Sequence, residues 1–127
     1  MTSNLDQRAR ELWQMVDALD FTKLANMLAD DAQGIDEISR RWLRSRAELD
    51  EYFRQLSGAV AEVRSDVSDL VAREYGDVGV VTGVLNQSYL LEGRRVQITA
   101  PTTLMFTRRG EEWRVALIHS VPLPAAE

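Results

Sequence analysis

The spacing of apolar residues divides the chain into a helical first half and a strand-rich second half. The first apolar positions recur every three or four residues, which is the period of an amphipathic helix. Ser3 or Asn4 is expected to cap this helix, because a short polar side chain there can accept a backbone N–H. The apolar face of the helix is formed by Leu5, Leu12, Trp13, Val16 and Leu19.

Two further helices are predicted in the first half. The second runs from about residue 21 to residue 29, and Asp20 can cap its start. The segment DDAQGIDEIS follows it and carries a weak strand signal. The third helix begins at a capping box, in which the side chains of Ser45 and Glu48 can each satisfy the other's backbone N–H.

From Glu62 onward, β-branched residues and turn signals predict four strands. Pro101 lies inside one of them and predicts a bulge or bend, because proline cannot donate to the ladder of hydrogen bonds. Gly79 and Gly83 predict sharp curvature or a close approach of the backbone to another element. The turns between the strands are expected at Gly76-Asp77, Glu92-Gly93 and Arg109-Gly110.

The order of the predicted elements is α-α-β-α-β-β-β-β, within one domain that spans residues 1–127. Elements in this order favour an α+β fold, in which a strongly bent antiparallel sheet wraps around the N-terminal helices.

Composition and charge narrow the classes of function. With 45% hydrophobic and 28% charged residues, the chain is an ordinary globular domain. A net charge of −5 argues against binding to nucleic acid, which needs clustered Lys and Arg. No apolar run approaches the roughly 20 residues of a membrane span, and no signal-peptide pattern is present. We therefore expect a cytoplasmic protein without a membrane or nucleic-acid partner.

The chain has no cysteine and a single histidine. Disulfides and thiolate sites are thus excluded, and carboxylates alone would have to hold a metal ion. The sequence has no spacing typical of a metal site and no Gly-rich phosphate loop before a helix. It therefore predicts neither a metal nor a cofactor.

Three stretches of the sequence are similar to parts of a known fold. FTKLANMLADDAQGID is similar to a second helix that runs into a first strand, YGDVGVVTG to the hairpin that opens a main sheet, and TLMFTRRGEEWRVALIHSVPLP to a final hairpin with a late His-Ser. On these stretches the chain resembles the NTF2-like (cystatin-like α+β) superfamily, in its SnoaL-like and ketosteroid-isomerase-like branch. The resemblance implies a cone-shaped fold that encloses a ligand pocket and a homodimer formed through the convex sheet face. Because this scaffold hosts many activities as well as silent assembly modules, the fold does not select a function.

His119 is the first candidate for a catalytic residue. By simple alternation, Trp113, Val115, Leu117, His119 and Val121 share one face of the last strand. An imidazole among apolar neighbours could act as a general base or acid. It could equally be a neutral core or rim group, because the sequence shows no carboxylate partner, and Val121 replaces a polar residue of the family's frequent His-x-Ser ending.

Asp36 is the second candidate. Enzymes of the ketosteroid-isomerase type use an aspartate to move a proton between carbons, so the resemblance implies such a role for Asp36, with Tyr52 or Tyr89 polarising an oxygen. The alternative is a solvated loop carboxylate. The strand face that would carry a second acid of an oxyanion hole has none, since it is expected to comprise Gln97, Thr99, Pro101, Thr103 and Met105.

The pocket wall is predicted from aromatic and methionine side chains, although such residues are also typical of a core. Trp42 lies in SRRWLRSR, where no regular core face requires it, and could cover a pocket. The arginines around it could bind an anionic group, or they could offset the charges of Glu48 and Asp50. The predicted pocket residues are Trp13, Trp42, Tyr52, Tyr89, Thr103 and Met105.

Two functions from different classes remain. The first is a pocket protein that binds a small hydrophobic molecule and could catalyse proton transfer, as an isomerase, cyclase or dehydratase does. The second is a non-catalytic dimerisation or ligand-binding module whose cavity is filled by side chains.

Overall fold

The computed structural model describes residues 5–124 and contains eight elements in the predicted order. Ser3 and Asn4, the predicted capping residues, lie outside the described residues. The second helix ends earlier than expected, because Leu28 already pairs with Val115 in the sheet. The elements are α1 (Leu5–Asp17), α2 (Phe21–Asn26), β1 (Leu28–Ile35), α3 (Arg46–Ala59), β2 (Val60–Tyr75), β3 (Val78–Leu91), β4 (Arg94–Arg109) and β5 (Glu112–Ser120).

The five strands form one sheet in the order β1-β5-β4-β3-β2. The four long C-terminal strands are antiparallel, as predicted, but β1 pairs with β5 in parallel. The sheet is therefore mixed. The helices pack on one face of it, and apolar side chains from both layers form the core, which confirms the predicted α+β class.

The helix starts follow the predicted capping chemistry. The side chain of Asp20 accepts the backbone N–H of Lys23 at 3.1 Å, and the hydroxyl of Ser45 accepts that of Glu48 at 3.1 Å. Glu48 departs from the predicted capping box, in which its carboxylate would accept the backbone N–H of Ser45. Here the carboxylate accepts the backbone N–H of Arg44 at 3.3 Å. The bonds from Lys23 and Glu48 satisfy N–H groups that the first helical turn would otherwise leave without a partner.

Two bulges bend β2 over the helices. Residues 62 and 63 stand opposite residue 89 of β3, and residues 69 and 70 stand opposite residue 83. Glu62 and Asp69 adopt positive φ angles of 51° and 55° at these points. An extra residue in one strand increases the local twist and bends that strand, so these bulges contribute to the predicted strong curvature.

Gly79 and Gly83 lie at the close approaches that the sequence predicts. A Cβ atom on Gly83 would lie 2.8 Å from Cδ2 of Leu70 and 3.1 Å from the backbone oxygen of Ser68. A Cβ atom on Gly79 would lie 2.5 Å from Cδ1 of Leu5. The missing side chains therefore let β2 and α1 come close to β3.

The prediction of a bulge at Pro101 is wrong, because β3 and β4 pair in unbroken register along their whole length. The carbonyl of Thr99 accepts the N–H of Leu123, which lies beyond the end of β5. Backbone groups two residues apart in a strand point the same way, so the N–H that Pro101 lacks would also point away from β3. Pairing with β5 ends at Thr102 and Ser120, so the proline removes no bond from the ladder.

The irregularity lies in β5 instead, at Ala116. Met105 pairs with Leu117, whereas the next residue of β4, Phe106, pairs with Val115. Ala116 is therefore an extra residue without a partner in β4. The alternation of side chains along β5 reverses across it.

Among the helices of residues 5–124, none has the length and hydrophobicity needed to cross a membrane.

Candidate functional site

A cavity of about 80 Å³ lies between the helices and the concave face of the sheet. One water molecule needs about 10–15 Å³, so this space corresponds to several waters or one small ring. Most of its wall is hydrocarbon from α1, α2, α3 and the sheet. The apolar wall includes Leu12, Trp13, Phe21, Phe53, Leu85 and Ile118.

Four polar residues form a cluster on the cavity wall: Asp36, Glu37, Tyr52 and Tyr89. The hydroxyl of Tyr52 lies 2.7 Å from both carboxylate oxygens of Asp36. The hydroxyl of Tyr89 donates to Oε1 of Glu37 at 3.1 Å. The two carboxyl groups come from the segment after β1, whereas the tyrosines come from α3 and β3. We call these four residues the acid–tyrosine cluster.

The local turn fixes the position of Asp36. Its Oδ1 atom accepts the backbone N–H groups of Ile38 at 3.0 Å and Ser39 at 2.8 Å. The hydroxyl of Ser39 accepts the backbone N–H of Asp36 at 3.1 Å. An aspartate that bonds the backbone two residues ahead forms a stable turn. Because Tyr52 occupies the same carboxylate, Asp36 is held as a hydrogen-bond acceptor.

The carboxylate of Glu37 accepts fewer hydrogen bonds from side chains and the turn than that of Asp36 does. Burial raises the pKa of its carboxyl, and the negative charge of Asp36 raises that pKa further. Burial and the neighbouring carboxylates also raise the pKa of both Tyr52 and Tyr89, so these phenols stay protonated. Of the three groups with a raised pKa, Glu37 is therefore the one suited to gain and lose a proton.

The structure brings four of the predicted site residues to the cavity and leaves four outside it. Trp13, Asp36, Tyr52 and Tyr89 line the cavity. The positions predicted for the other four are wrong, since they do not line it. These residues are His119, Trp42, Thr103 and Met105.

The bulge at Ala116 explains the position of His119, and regular alternation along β4 explains those of Thr103 and Met105. Beyond the bulge, Ile118 and Ser120 face the cavity, so His119 points to the outer face of the sheet. There it pairs with Thr103, which shares the outer face of β4 with Met105. Alternating burial along β4 supports this assignment, because its even-numbered residues from Ala100 to Phe106 are the buried ones.

Trp42 is turned outward by its neighbour. Leu43 exchanges two backbone hydrogen bonds with Gly34, at 2.8 and 2.9 Å, and its side chain is buried. Trp42 therefore faces the other way and stacks on His119, with ring centroids 5.7 Å apart. The guanidinium of Arg44 lies 5.5 Å from the ring of Trp42. The tryptophan covers the end of β5 and is no lid on the cavity.

Two of the arginines around Trp42 pair with the acids that the sequence suggested. Arg41 lies 2.9 Å from Glu48, and Arg46 lies 3.3 Å from Asp50. Arg46 also donates to the backbone oxygen of Ala25 at 2.7 Å, which ties the end of α2 to α3. These contacts support the interpretation that the charges are offset within the protein.

The structure adds three polar wall residues to the predicted site: Glu37, Gln87 and Ser120. Gln87 lies two residues before Tyr89, so strand alternation could have placed it on the same face. Its Nε2 atom donates to Oγ of Ser65 at 2.9 Å, and this hydroxyl donates to Asp17 at 2.6 Å. Within the described residues, no group of three or more His, Cys, Asp or Glu side chains is placed to hold a metal ion.

Comparison with known families supports the resemblance noted in the sequence. The sequence model of a family described as SnoaL-like domain matches residues 6–124. No curated protein sequence matches the chain significantly.

Solved structures share the fold at low sequence identity. A candidate dehydratase of the NTF2-like family from Streptomyces avermitilis is 17% identical, with a TM-score of 0.86 over 96% of this chain and 95% of that one. A ketosteroid isomerase-like protein from Erwinia carotovora atroseptica is 12% identical, with a TM-score of 0.82 over 98% and 100%. A candidate calcium/calmodulin dependent protein kinase II association domain from Xanthomonas campestris is 18% identical, with a TM-score of 0.81 over 97% and 88%. At these identities the likeness shows the fold alone.

Proposed function

Since the chain belongs to the SnoaL-like domain family, within the NTF2-like superfamily, we propose that it binds a small apolar or aromatic ring compound in the cavity and moves a proton on that compound. Glu37 is the proposed acid–base residue. A carboxyl group with a raised pKa on a mostly hydrocarbon wall is the single observation that carries this proposal. The neighbours described as a dehydratase and as ketosteroid isomerase-like support the reaction class.

The chemistry requires Glu37 to act in its ionised form first. As a carboxylate it takes a proton from a carbon beside a carbonyl group, and the electron pair of that C–H bond shifts toward the carbonyl oxygen. As a carboxylic acid it then returns the proton to another position, so that the net change is an isomerisation. Asp36 is the weaker candidate for this role, because the turn and Tyr52 already occupy its carboxylate.

We expect the protein to accelerate the exchange of the C–H proton next to the carbonyl of 2-hydroxycyclohexanone in D₂O. Glu37→Gln is expected to lower the accelerated rate by about 10²–10⁴-fold, the usual contribution of a positioned acid–base group. The rate should rise with pH through the raised pKa of Glu37 and then level off, since only the carboxylate accepts a proton. Proton NMR of the ring compound measures the exchange directly.

Glu111→Gln is the matched control, because Glu111 is exposed in the turn between β4 and β5. It should leave the rate unchanged. A wild-type rate equal to that of buffer, or equal to that of Glu37→Gln, would remove the catalytic part of the proposal and leave a binding protein.

A second proposal, for assembly, rests on the outer face of the sheet. Val80, Met105 and Leu117 pair across β3, β4 and β5 and form an apolar row there, with each side chain partly exposed. One neighbour of the same fold is described as an association domain, which supports an oligomer. We propose that this face forms a homodimer. The cytoplasmic location stays a prediction from the sequence.

Met105→Lys is expected to shift the dimer toward monomer, because it places a charge in the middle of the apolar row. Sedimentation velocity over a dilution series measures the change. Thr22→Lys adds the same charge at an exposed position of α2 and should leave the proportion of dimer unchanged. A wild-type protein that is monomeric at all concentrations would contradict the homodimer.

A further inference from the structure

Each hydroxyl on the cavity wall already gives its proton to a protein acceptor. Tyr52 donates to Asp36 and Tyr89 donates to Glu37. The third hydroxyl belongs to Ser120, which lies 3.0 Å from the hydroxyl of Thr102.

The direction of the hydrogen bond between Ser120 and Thr102 follows from the hydrogen bond that Thr102 makes to Ala100. Thr102 donates its single proton to the backbone oxygen of Ala100 at 3.0 Å, so it can only accept from Ser120. Ser120 therefore has no proton left for a ligand. The wall hydroxyls at Tyr52, Tyr89 and Ser120 can offer a ligand only their oxygen lone pairs.

The carboxylates beside these hydroxyls have more lone-pair sites than the hydroxyls can fill. An ionised carboxylate has about four lone-pair sites, and Tyr89 is the side-chain donor that Glu37 has within the described residues. The wall of the cavity also holds N–H groups, on Trp13 of α1 and on Gln87. One N–H of Gln87 is already used by Ser65.

On the premise that this cavity is the ligand site proposed above, we infer that the acid–tyrosine cluster selects a hydrogen-bond donor, the hydroxyl of a phenol or of a small cyclic alcohol, which donates to the carboxylate of Glu37. An ether or a simple ketone brings only lone pairs to the same place. For a carbonyl oxygen to be bound there, Tyr52 or Tyr89 would have to give up its bond to a carboxylate.

The donor is a neutral hydroxyl rather than an ammonium group. Most of the rest of the cavity wall is hydrocarbon, and a cation would have to leave water to reach the cluster. A hydroxyl loses less hydration free energy than an ammonium group on leaving water, and it gains a charge-assisted hydrogen bond to the carboxylate.

Three ring compounds of similar size test this selection: phenol, anisole and toluene. Dissociation constants come from titrations followed by ¹H–¹⁵N NMR of the protein. We expect phenol to bind about tenfold more tightly than anisole, because a hydrogen bond to a charged acceptor is stronger than a neutral one. Toluene should bind about as weakly as anisole.

Two variants assign the preference to Glu37. Glu37→Leu removes the acceptor and should reduce the preference for phenol over anisole to less than about twofold, while toluene still binds. Glu37→Gln keeps a neutral acceptor of the same shape and should retain an intermediate preference. Circular dichroism establishes that each variant is folded, and the wild-type comparison of the three compounds needs no variant.

The outcomes separate this inference from the proposed function. Equal affinity of the wild type for phenol, anisole and toluene would overturn the donor selection and leave the cavity as a ligand site. A phenol preference that survives Glu37→Leu in full would overturn the assignment to Glu37. Failure of all three compounds to bind would overturn the proposed function itself, and the inference with it.

Discussion

Replacement of Phe53 by alanine is expected to lower the free energy of unfolding by about 3–5 kcal/mol, the usual cost of removing a buried phenylalanine. Phe53 is 7% exposed and belongs to the hydrophobic core. Its ring stacks on Phe21 of α2, with centroids 5.5 Å apart and planes inclined by 8°. The substitution therefore removes core packing and the contact between α2 and α3 together. Chemical denaturation followed by circular dichroism measures the loss.

Phe21→Ala is the matched control for this prediction. It breaks the same stacked pair. Stacking contributes about 0.5–1.5 kcal/mol to the free energy of unfolding, in addition to the contribution of the buried area. Phe21 is only partly buried, so its own loss should be smaller, about 1–2 kcal/mol. Equal losses for the two variants would contradict the view that burial of Phe53 in the core dominates.

The helices and hairpins could be predicted because their signals are local. Ser45 and Asp20 cap helices within three residues of themselves, and each hairpin turn lies between strands that follow directly in sequence. The parallel pairing of β1 with β5 has no such signal. These strands are separated by most of the chain, and no turn between them sets their direction.

The wrong face predicted for His119 comes from one residue that carries no sequence signal. Ala116 is neither glycine nor proline, and nothing in EWRVALIHS distinguishes it from its neighbours. Yet the bulge there turns His119 to the outer face, where it meets Thr103. A shift of one residue in a strand moves every later side chain to the other face, so simple alternation predicted the wrong face for this part of β5.

Asp36 and Glu37 show a different limit. The strand signal of DDAQGIDEIS includes both residues, but the division of roles between them depends on contacts from distant elements. Tyr52 lies 16 residues from Asp36, and Tyr89 lies 52 residues from Glu37. Burial and the charge of Asp36 raise the pKa of Glu37, whereas the turn and Tyr52 hold Asp36 as a hydrogen-bond acceptor.

Replacement of Asp36 by alanine is expected to cost about 2–4 kcal/mol of folding free energy. The change removes a charged acceptor of two backbone N–H groups and leaves the partly buried hydroxyl of Tyr52 without its partner. A hydrogen bond to a charged group contributes roughly 1.5–3 kcal/mol, and an unpaired buried donor adds to the loss. Thermal and denaturant unfolding measure the change.

A double-mutant cycle with Tyr52→Phe isolates the contact between the two side chains. The coupling energy should be about 1.5–3 kcal/mol, because the cycle removes the contribution of the turn. Asp36→Asn keeps an acceptor oxygen for the turn, so it should lose less stability than Asp36→Ala and should retain most of the proton-exchange activity. If Asp36→Asn abolished exchange as fully as Glu37→Gln while remaining folded, Asp36 would be the acid–base residue. A folded and active Asp36→Asn instead assigns Asp36 the task of positioning Tyr52 and the turn, so that proton transfer belongs to Glu37.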